Sequence, residues 1–155
     1  MKTINETNNL VSEIELSYVS KIKPSERLQI SKSSDCANIF KSINRYSKNL
    51  SFCECFYAMY LNRANKVLSV ILISEGTTDA TVVDIKKILA PAILQNASSI
   101  ILSHNHPSGQ LQASDSDIKI NNKIKDSAKL MDISVFDHII ITEESFLSFA
   151  DEGLM

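Results

Sequence analysis

The sequence predicts an α/β fold, with a mixed (α+β) sheet flanked by helices. Two strand patterns, Phe52 to Leu61 and Val67 to Ser74, are separated by five residues of turn composition, which predicts an antiparallel hairpin. Helix and strand patterns then alternate, in the order helix, strand, helix, strand. An antiparallel opening followed by alternating elements is typical of a mixed sheet that is covered by helices.

The first 49 residues are interpreted as an N-terminal arm, and residues 50–155 as the principal domain. Residues 1–10 are polar and are expected to be loosely ordered. Alternating apolar and polar residues over 13–19 predict a half-buried strand, and residues 28–30 predict a second short one. A helix is expected from about Ser34 to about Tyr46. The arm contains no motif that indicates a function.

The hairpin is followed by a helix that begins after Asp84 and contains Pro91, which predicts a kink because proline removes a backbone hydrogen bond. Its inward face is predicted to consist of Ile85, Ile88, Leu89, Ala92 and Ile93.

The apolar run from Ser99 to Ser103 predicts a buried strand. A second helix is expected from about Ser114 to Met131, a last strand from Ile133 to Thr142 and a short closing piece over 146–149. The inward residues of this second helix are predicted to be Ile120, Ile124, Ala128 and Met131.

Composition favours an ordinary globular protein: 155 residues, 44% apolar and 22% charged. The net charge of -2 gives no overall electrostatic case for a nucleic-acid partner, although four lysines crowd the second helix. No apolar run approaches the roughly 18 residues of a membrane span, and the first residues lack the apolar core of a secretory signal. We therefore expect no membrane partner. The oligomeric state is left open.

The three cysteines, Cys36, Cys53 and Cys55, are an odd number without a disulfide-framework spacing. This usage predicts a reducing compartment, the cytoplasm. Cys53 and Cys55 could form half of a metal site, but the sequence offers no second half, and packing of two small residues on a strand is the favoured interpretation.

Two of the three histidines, His104 and His106, lie one residue apart where the buried strand opens into a loop that contains Pro107 and Gly109. Residues i and i+2 of an extended segment point the same way, so both imidazoles can face one point. Asp117, at the start of the next helix, is the candidate third ligand. Two imidazoles and one carboxylate suit Zn²⁺ with a fourth position open to water, as in catalytic zinc sites.

Each of these residues also has a simpler interpretation. Histidines in loops are commonly just polar, and Ser114 with Asp117 forms the pattern of a helix capping box. Capping and ligation are compatible, since a helix N-terminus can hold both. Asn105, one residue out of phase with the histidines, is expected to be structural, and His138 to be a satisfied sheet histidine far from the motif.

The spacing His-x-His, seven residues, Ser, two residues, Asp resembles the metal signature of the JAB/MPN (JAMM) metalloprotease superfamily. The string Ser-His-Asn-His-Pro-Ser-Gly, with Leu130-Met131-Asp132-Ile133 and Asp137-His138-Ile139-Ile140, resembles its RadC branch. The likeness covers residues 50–155 and implies a cytidine-deaminase-like JAB/MPN architecture. Longer RadC proteins carry a helix-hairpin-helix module, whose Gly-rich hairpins are not seen in residues 1–49.

A peptidase of this kind needs a carboxylate beside the water. Glu54 lies in a stretch so apolar that an ionised side chain there requires a reason, whereas Glu75 lies next to Gly76 at the far end of the hairpin. The resemblance aligns Glu54 with the catalytic glutamate of the superfamily, and Glu75 remains the alternative.

The resemblance and the chemistry together imply the roles. His104, His106 and Asp117 would hold zinc, Glu54 would act as general base, and Ser114 would stabilise the oxyanion. The implied function is that of a zinc-dependent metallopeptidase or isopeptidase acting on a peptide or protein. The alternative is a scaffold or DNA-repair-associated RadC-like interaction module without peptidase activity. A metal-dependent nuclease, suggested by the string His-Asn-His, is disfavoured because the nuclease motif of that name has widely separated residues.

Overall fold

The structure, a computed structural model, describes Glu15, residues 17–76 and residues 83–155. A short 3-10 helix covers Pro24–Glu26. The remaining helices and strands follow in the order α1 (Ser33–Ser42), α2 (Asn44–Asn49), β1 (Cys55–Leu61), β2 (Val67–Glu75), α3 (Ile85–Leu94), β3 (Ser99–Asn105), α4 (Asp115–Lys129), β4 (Ser134–Ile141) and β5 (Phe146–Ser148).

The five strands form one mixed sheet in the order β2-β1-β3-β4-β5. The hairpin β1-β2 is antiparallel, as predicted, and β1 is also antiparallel to β3. The strands β3 and β4 are parallel and are connected through α4, whereas β5 returns antiparallel to β4. The predicted fold class, a mixed sheet flanked by helices, is confirmed.

Alternate residues of the central strands enter two separate hydrophobic cores. Tyr57 and Met59 of β1 pack in the core that contains Phe40 of α1 and Tyr46 of α2. The other face of β1 packs against the core formed with α3 and α4. Because both faces are covered, the central strands are almost continuously apolar.

The helices before residue 50 complete one face of the sheet. Phe40 and Tyr46 are fully buried, and the Tyr46 hydroxyl forms a 2.9 Å hydrogen bond with Ser103 Oγ of β3. Residues 33–50 therefore share a core with the strands. The predicted domain boundary at residue 50 stays a prediction.

The arm differs from the expectation in three places. The predicted strand over 13–19 falls partly outside the described residues, and its described part, Glu15 and residues 17–19, is exposed and irregular. Residues 28–30 form one isolated bridge, between Gln29 and Lys66, rather than a strand. The prediction of a single helix ending near Tyr46 is wrong, because Ile43 is extended and separates α1 from α2. In one straight helix Phe40 and Tyr46 would lie about 120° apart around the axis, and the break lets both enter the core.

Several details of the later elements also differ. The first hairpin strand begins at Cys55, and Phe52 is 74% exposed in the preceding turn. In α3, which continues through Pro91, Ile88, Leu89 and Ala92 are buried as predicted, but the prediction for Ile93 is wrong since it faces solvent.

The prediction that Met131 lies inward is also wrong. Its side chain is exposed, because α4 ends at Lys129 and the chain turns at Asp132, which has a positive φ. Among the helices in the described ranges, none combines the length and apolar character required to cross a bilayer.

Candidate metal centre

The two clustered histidines lie at the carboxyl end of β3. His104 belongs to the strand, and the backbone N–H of His106 donates to the Ile141 carbonyl at 3.0 Å, which extends the pairing with β4 by one residue. Extended backbone over these residues turns both imidazoles to the same face of the sheet and Asn105 to the other.

Asp117 joins them from the first turn of α4. His104 Nε2 lies 2.9 Å from His106 Nε2 and 3.3 Å from Asp117 Oδ1, and His106 Nε2 lies 3.6 Å from Asp117 Oδ2. Ligand atoms around a tetrahedral zinc ion lie roughly 3.3 Å apart, so these separations suit a metal of that size. The structure thus brings together the three predicted ligands in a possible metal-binding triad.

The outer nitrogen of each imidazole has a partner of its own. His106 Nδ1 donates to the Gln110 carbonyl at 2.8 Å, and His104 Nδ1 lies 2.8 Å from His138 Nε2. An imidazole whose Nδ1 carries the proton presents an unprotonated Nε2, the form that binds metals. A cation that displaces the Nε2 protons shared with Asp117 would therefore meet a lone pair from each histidine at the centre of the triad.

The expectation that His138 is a satisfied residue far from the motif is wrong. Its side chain is completely buried and touches His104, and its Nδ1 has no hydrogen-bond partner within the part of the chain that the structure describes. Burial holds its pKa well below the ordinary value, so the ring is neutral and its Nε2 can accept from His104. His138 is the Cα partner of Leu102, two residues before His104, and this register turns it to the same face. The sequence pattern does not give the parallel pairing of β3 with β4, which is the information needed to place His138 beside His104.

Ser114 and Asp117 form the predicted capping box at the start of α4. Ser114 Oγ accepts from the Asp117 N–H at 3.1 Å, and Asp117 Oδ2 accepts from the Ser114 N–H at 2.8 Å. The Ser114 hydroxyl also donates to Asp117 Oδ2 at 2.6 Å. These bonds fix the carboxylate while Oδ1 remains turned toward His104. Asp117 thus both completes the cap of α4 and faces the two histidines.

The electrostatics of the triad are those of an anion between two imidazoles. Burial, the largest single effect, would raise the pKa of Asp117, but hydrogen bonds from His104 and His106 outweigh it and hold the pKa well below the usual range. The hydrogen bond with Asp117 in turn raises the pKa of His106. A half-buried carboxylate that stays ionised is a suitable ligand for a cation.

Glu54 directly precedes β1 and is half-buried on the side of the triad. Burial raises the pKa of its carboxyl group, and its charge interacts with those of His104, Asp117 and His106. Glu75, the alternative, is the Cα partner of Cys55 and contacts Arg45, Asn49 and Cys53 instead. The surroundings of the two glutamates therefore differ, and only Glu54 has charge interactions with the triad.

The side chain of Asn105 forms hydrogen bonds with the backbone of the segment that carries Glu54. Its Oδ1 accepts from the Cys55 N–H at 2.8 Å, and its Nδ2 donates to the carbonyl oxygens of Cys53 at 2.8 Å, Leu50 at 3.0 Å and Asn49 at 3.2 Å. The side chain is fully buried. The histidine segment and the Glu54 segment are thereby joined, which agrees with the structural role expected for Asn105.

Replacing Asn105 by alanine is expected to destabilise the fold strongly. The change removes the hydrogen bonds to the buried Cys55 N–H and to the carbonyl groups of Leu50 and Cys53, and should lower the free energy of unfolding by about 3 kcal/mol in urea denaturation. Asn121→Ala is the matched control, because Asn121 is equally buried but has only a 3.7 Å contact with Met155 Sδ, and its Oδ1 has no partner among the described residues. Equal losses in the two variants would contradict this role of Asn105.

Comparison with known proteins agrees with this geometry. Residues 30–154 match the family model of the RadC-like JAB domain. Similar curated proteins include UPF0758 proteins of Flavobacterium johnsoniae (41% identical over 101 residues, 65% of this chain and 44% of the relative), Aliivibrio fischeri (40% over 100 residues, 64% and 45%) and Geotalea uraniireducens (39% over 102 residues, 66% and 45%).

The chain spans about half the length of the curated relatives that it matches, and their names state no activity. The family match starts at residue 30, ahead of α1, and so includes both helices before the hairpin as well as the triad. Since it covers most of the sequence, the chain belongs to the RadC-like JAB domain family.

Proposed function

We propose that this chain is a zinc-dependent amide hydrolase of the metallopeptidase or isopeptidase type, acting on a peptide or protein. The observation that carries the proposal is the convergence of two imidazole Nε2 atoms and one ionised carboxylate, with a half-buried glutamate that interacts with all three. His104, His106 and Asp117 would be the ligands. Zinc held there would supply a Lewis acid that acidifies a water molecule and polarises the carbonyl group of the substrate.

Glu54 would act as the general base. Its carboxylate accepts a proton from the attacking water and then delivers that proton to the departing nitrogen of the amide. Burial raises the pKa of this group, which makes Glu54 a stronger proton acceptor than an exposed glutamate. The bonds of Asn105 to the residues on both sides of Glu54 restrict the backbone from which this side chain extends.

Ser114 would donate a hydrogen bond to the oxyanion that develops on the substrate. Its hydroxyl donates to Asp117 Oδ2 in the absence of substrate, and rotation about its side chain would redirect the proton. Removing such a donor typically raises the barrier by about 3 kcal/mol.

His138 and Gln110 would hold the two imidazoles in the tautomer that the proposed chemistry requires, through their contacts with His104 Nδ1 and His106 Nδ1. Phe56, stacked on His104 with the ring planes 5° apart, limits the tilt of that ring.

The first prediction concerns metal content. The double variant His104→Ala/His106→Ala should contain about one zinc ion per chain less than the wild type, because two of three ligands are lost and three-ligand sites depend on each of them. Elemental analysis of the purified chains measures the difference. Identical zinc content in the two proteins would end the proposal.

The second prediction concerns pH. Zinc requires neutral His106, whose pKa in the metal-free chain is raised above the ordinary histidine value of ~6.5. Protons therefore compete with zinc at a higher pH than at an ordinary histidine, and the apparent affinity should weaken as the pH falls from about 8 to about 6. Competition with a chromophoric chelator measures the affinity, taken as the difference between wild type and the double variant. A constant affinity over this range would contradict the assignment of His106.

The third prediction separates chemistry from metal binding. Glu54→Gln should keep the zinc content of the wild type while the cleavage rate falls by at least about 100-fold, because the amide cannot take up the proton. Mass spectrometry of a broad peptide library measures the cleavage. Glu144→Gln, a change in the exposed turn between β4 and β5, is the matched control and should leave both properties unchanged.

Two results of this experiment would count against the account. Full cleavage by Glu54→Gln would rule out Glu54 as the general base. A wild-type chain that binds zinc but cleaves no peptide in the library would favour an interaction module over a peptidase.

A further inference from the structure

We propose that Cys53, Cys55 and Glu75 form a second metal site, specific for a thiophilic dication such as Zn²⁺. This cluster lies on the opposite face of the β1 segment from the histidine triad. It uses none of the triad's ligands and does not depend on the proposed hydrolase activity.

The hairpin register places the three side chains together. Glu75 is the Cα partner of Cys55 in the antiparallel pair, so the two side chains extend from the same face as direct neighbours across the strands. Cys53 is two residues before Cys55, and the thiols of the two cysteines lie 3.9 Å apart. Glu54, between them, has its charge interactions with the histidine triad instead.

The separations suit a tetrahedral thiolate site. Cys53 Sγ lies 3.9 Å from Cys55 Sγ and 3.7 Å from Glu75 Oε1, and the three ligand atoms all lie within 4.8 Å of one another. With Zn–S bonds of about 2.3 Å and a Zn–O bond of about 2.1 Å, tetrahedral angles put the ligand atoms roughly 3.6 to 3.8 Å apart. All three cysteines of the chain are free, so neither thiol is consumed by a disulfide.

The surrounding groups orient the ligands and offset their charge. Asn49 Nδ2 donates to Glu75 Oε1 at 2.7 Å and lies 3.5 Å from Cys55 Sγ, so one amide contacts two of the three ligands. Arg45 binds the other carboxylate oxygen of Glu75. Two thiolates and one carboxylate would exceed the charge of a dication by one, and the Arg45 guanidinium supplies the balancing positive charge.

The donor set indicates the class of metal. Two sulfur ligands select soft or borderline cations such as zinc over magnesium or calcium, which prefer oxygen. Cys53 and Cys55 are buried, whereas the Glu75 side chain is 32% exposed, which opens the cluster to solvent on one side. Among the described residues the cluster contains three ligands, so the fourth position would take water or a further ligand.

A cation at this cluster would join three segments: the turn before β1, the start of β1 and the end of β2. Glu54 lies between two of the ligands in sequence, so the same ion would hold the backbone that carries the proposed base. We assign the site a structural and positioning role rather than a catalytic one.

Cobalt substitution of the whole chain under reducing conditions tests the proposal. Bound to thiolates, Co²⁺ gives a near-ultraviolet charge-transfer band that a site of histidine and carboxylate ligands does not give. We expect the band in the wild type and in the His104→Ala/His106→Ala variant. We expect its loss in Cys53→Ala and in Cys55→Ala. Cys36→Ala, at a buried cysteine of α1 outside the cluster, is the matched control and should keep it.

Zinc analysis gives an independent measurement of the same site. The wild type should contain about two zinc ions per chain, and the Cys53→Ser/Cys55→Ser variant and the histidine double variant about one each, since each change empties one site. Serine has the same number of side-chain heavy atoms as cysteine, which limits the disturbance of the packing and protects the test against loss of the fold.

Absence of the cobalt band from the reduced wild type would overturn the second site. Its persistence after replacement of either cysteine would do the same, as would equal zinc content in the wild type and the serine variant. Because the histidine variant keeps the band if the proposal is right, failure of this site and failure of the hydrolase proposal give different results.

Discussion

The position of β3 in the sheet is the constraint on which both candidate sites depend. The strand lies between β1, to which it is antiparallel, and β4, to which it is parallel. Its carboxyl end therefore faces the start of β1 and lies beside β4. Strand alternation then turns His104 and His106 to one face, where His138 lies, and Asn105 to the other, where it binds the backbone before β1.

Local helix chemistry supplies the remaining ligand. The loop after His106 turns at Gly109, whose φ of +79° favours glycine and whose N–H donates to the His106 carbonyl at 3.0 Å. Ser114 then caps α4 and fixes the Asp117 carboxylate against both imidazoles. The same carboxylate stabilises the helix N-terminus and approaches the histidines, so one side chain links the start of α4 to the end of β3.

The triad could be predicted from the sequence because its determinants are local. The alternation within His-Asn-His and the capping box of Ser114 and Asp117 each need only a few neighbouring residues. The contact of His138 with His104 could not be predicted, because it requires the parallel register of β3 and β4. The sequence likewise offers at most half a metal site at Cys53 and Cys55 and favours packing there, since the third ligand depends on the pairing of Cys55 with Glu75 across the hairpin. The predicted inward faces of the helices are wrong at the helix ends, for example at Met131, where the positive φ of Asp132 turns the chain. The break at Ile43 could not be predicted because it depends on tertiary packing.

The most direct test of the account is a crystal structure of the zinc-loaded chain with anomalous data collected at the zinc edge. The account predicts an anomalous peak about 2.0 to 2.2 Å from His104 Nε2, His106 Nε2 and one Asp117 oxygen, with the Glu54 carboxylate within reach of a water on that peak. Absence of a peak bonded to all three of these atoms, or a Glu54 side chain turned away from that peak, would contradict the account.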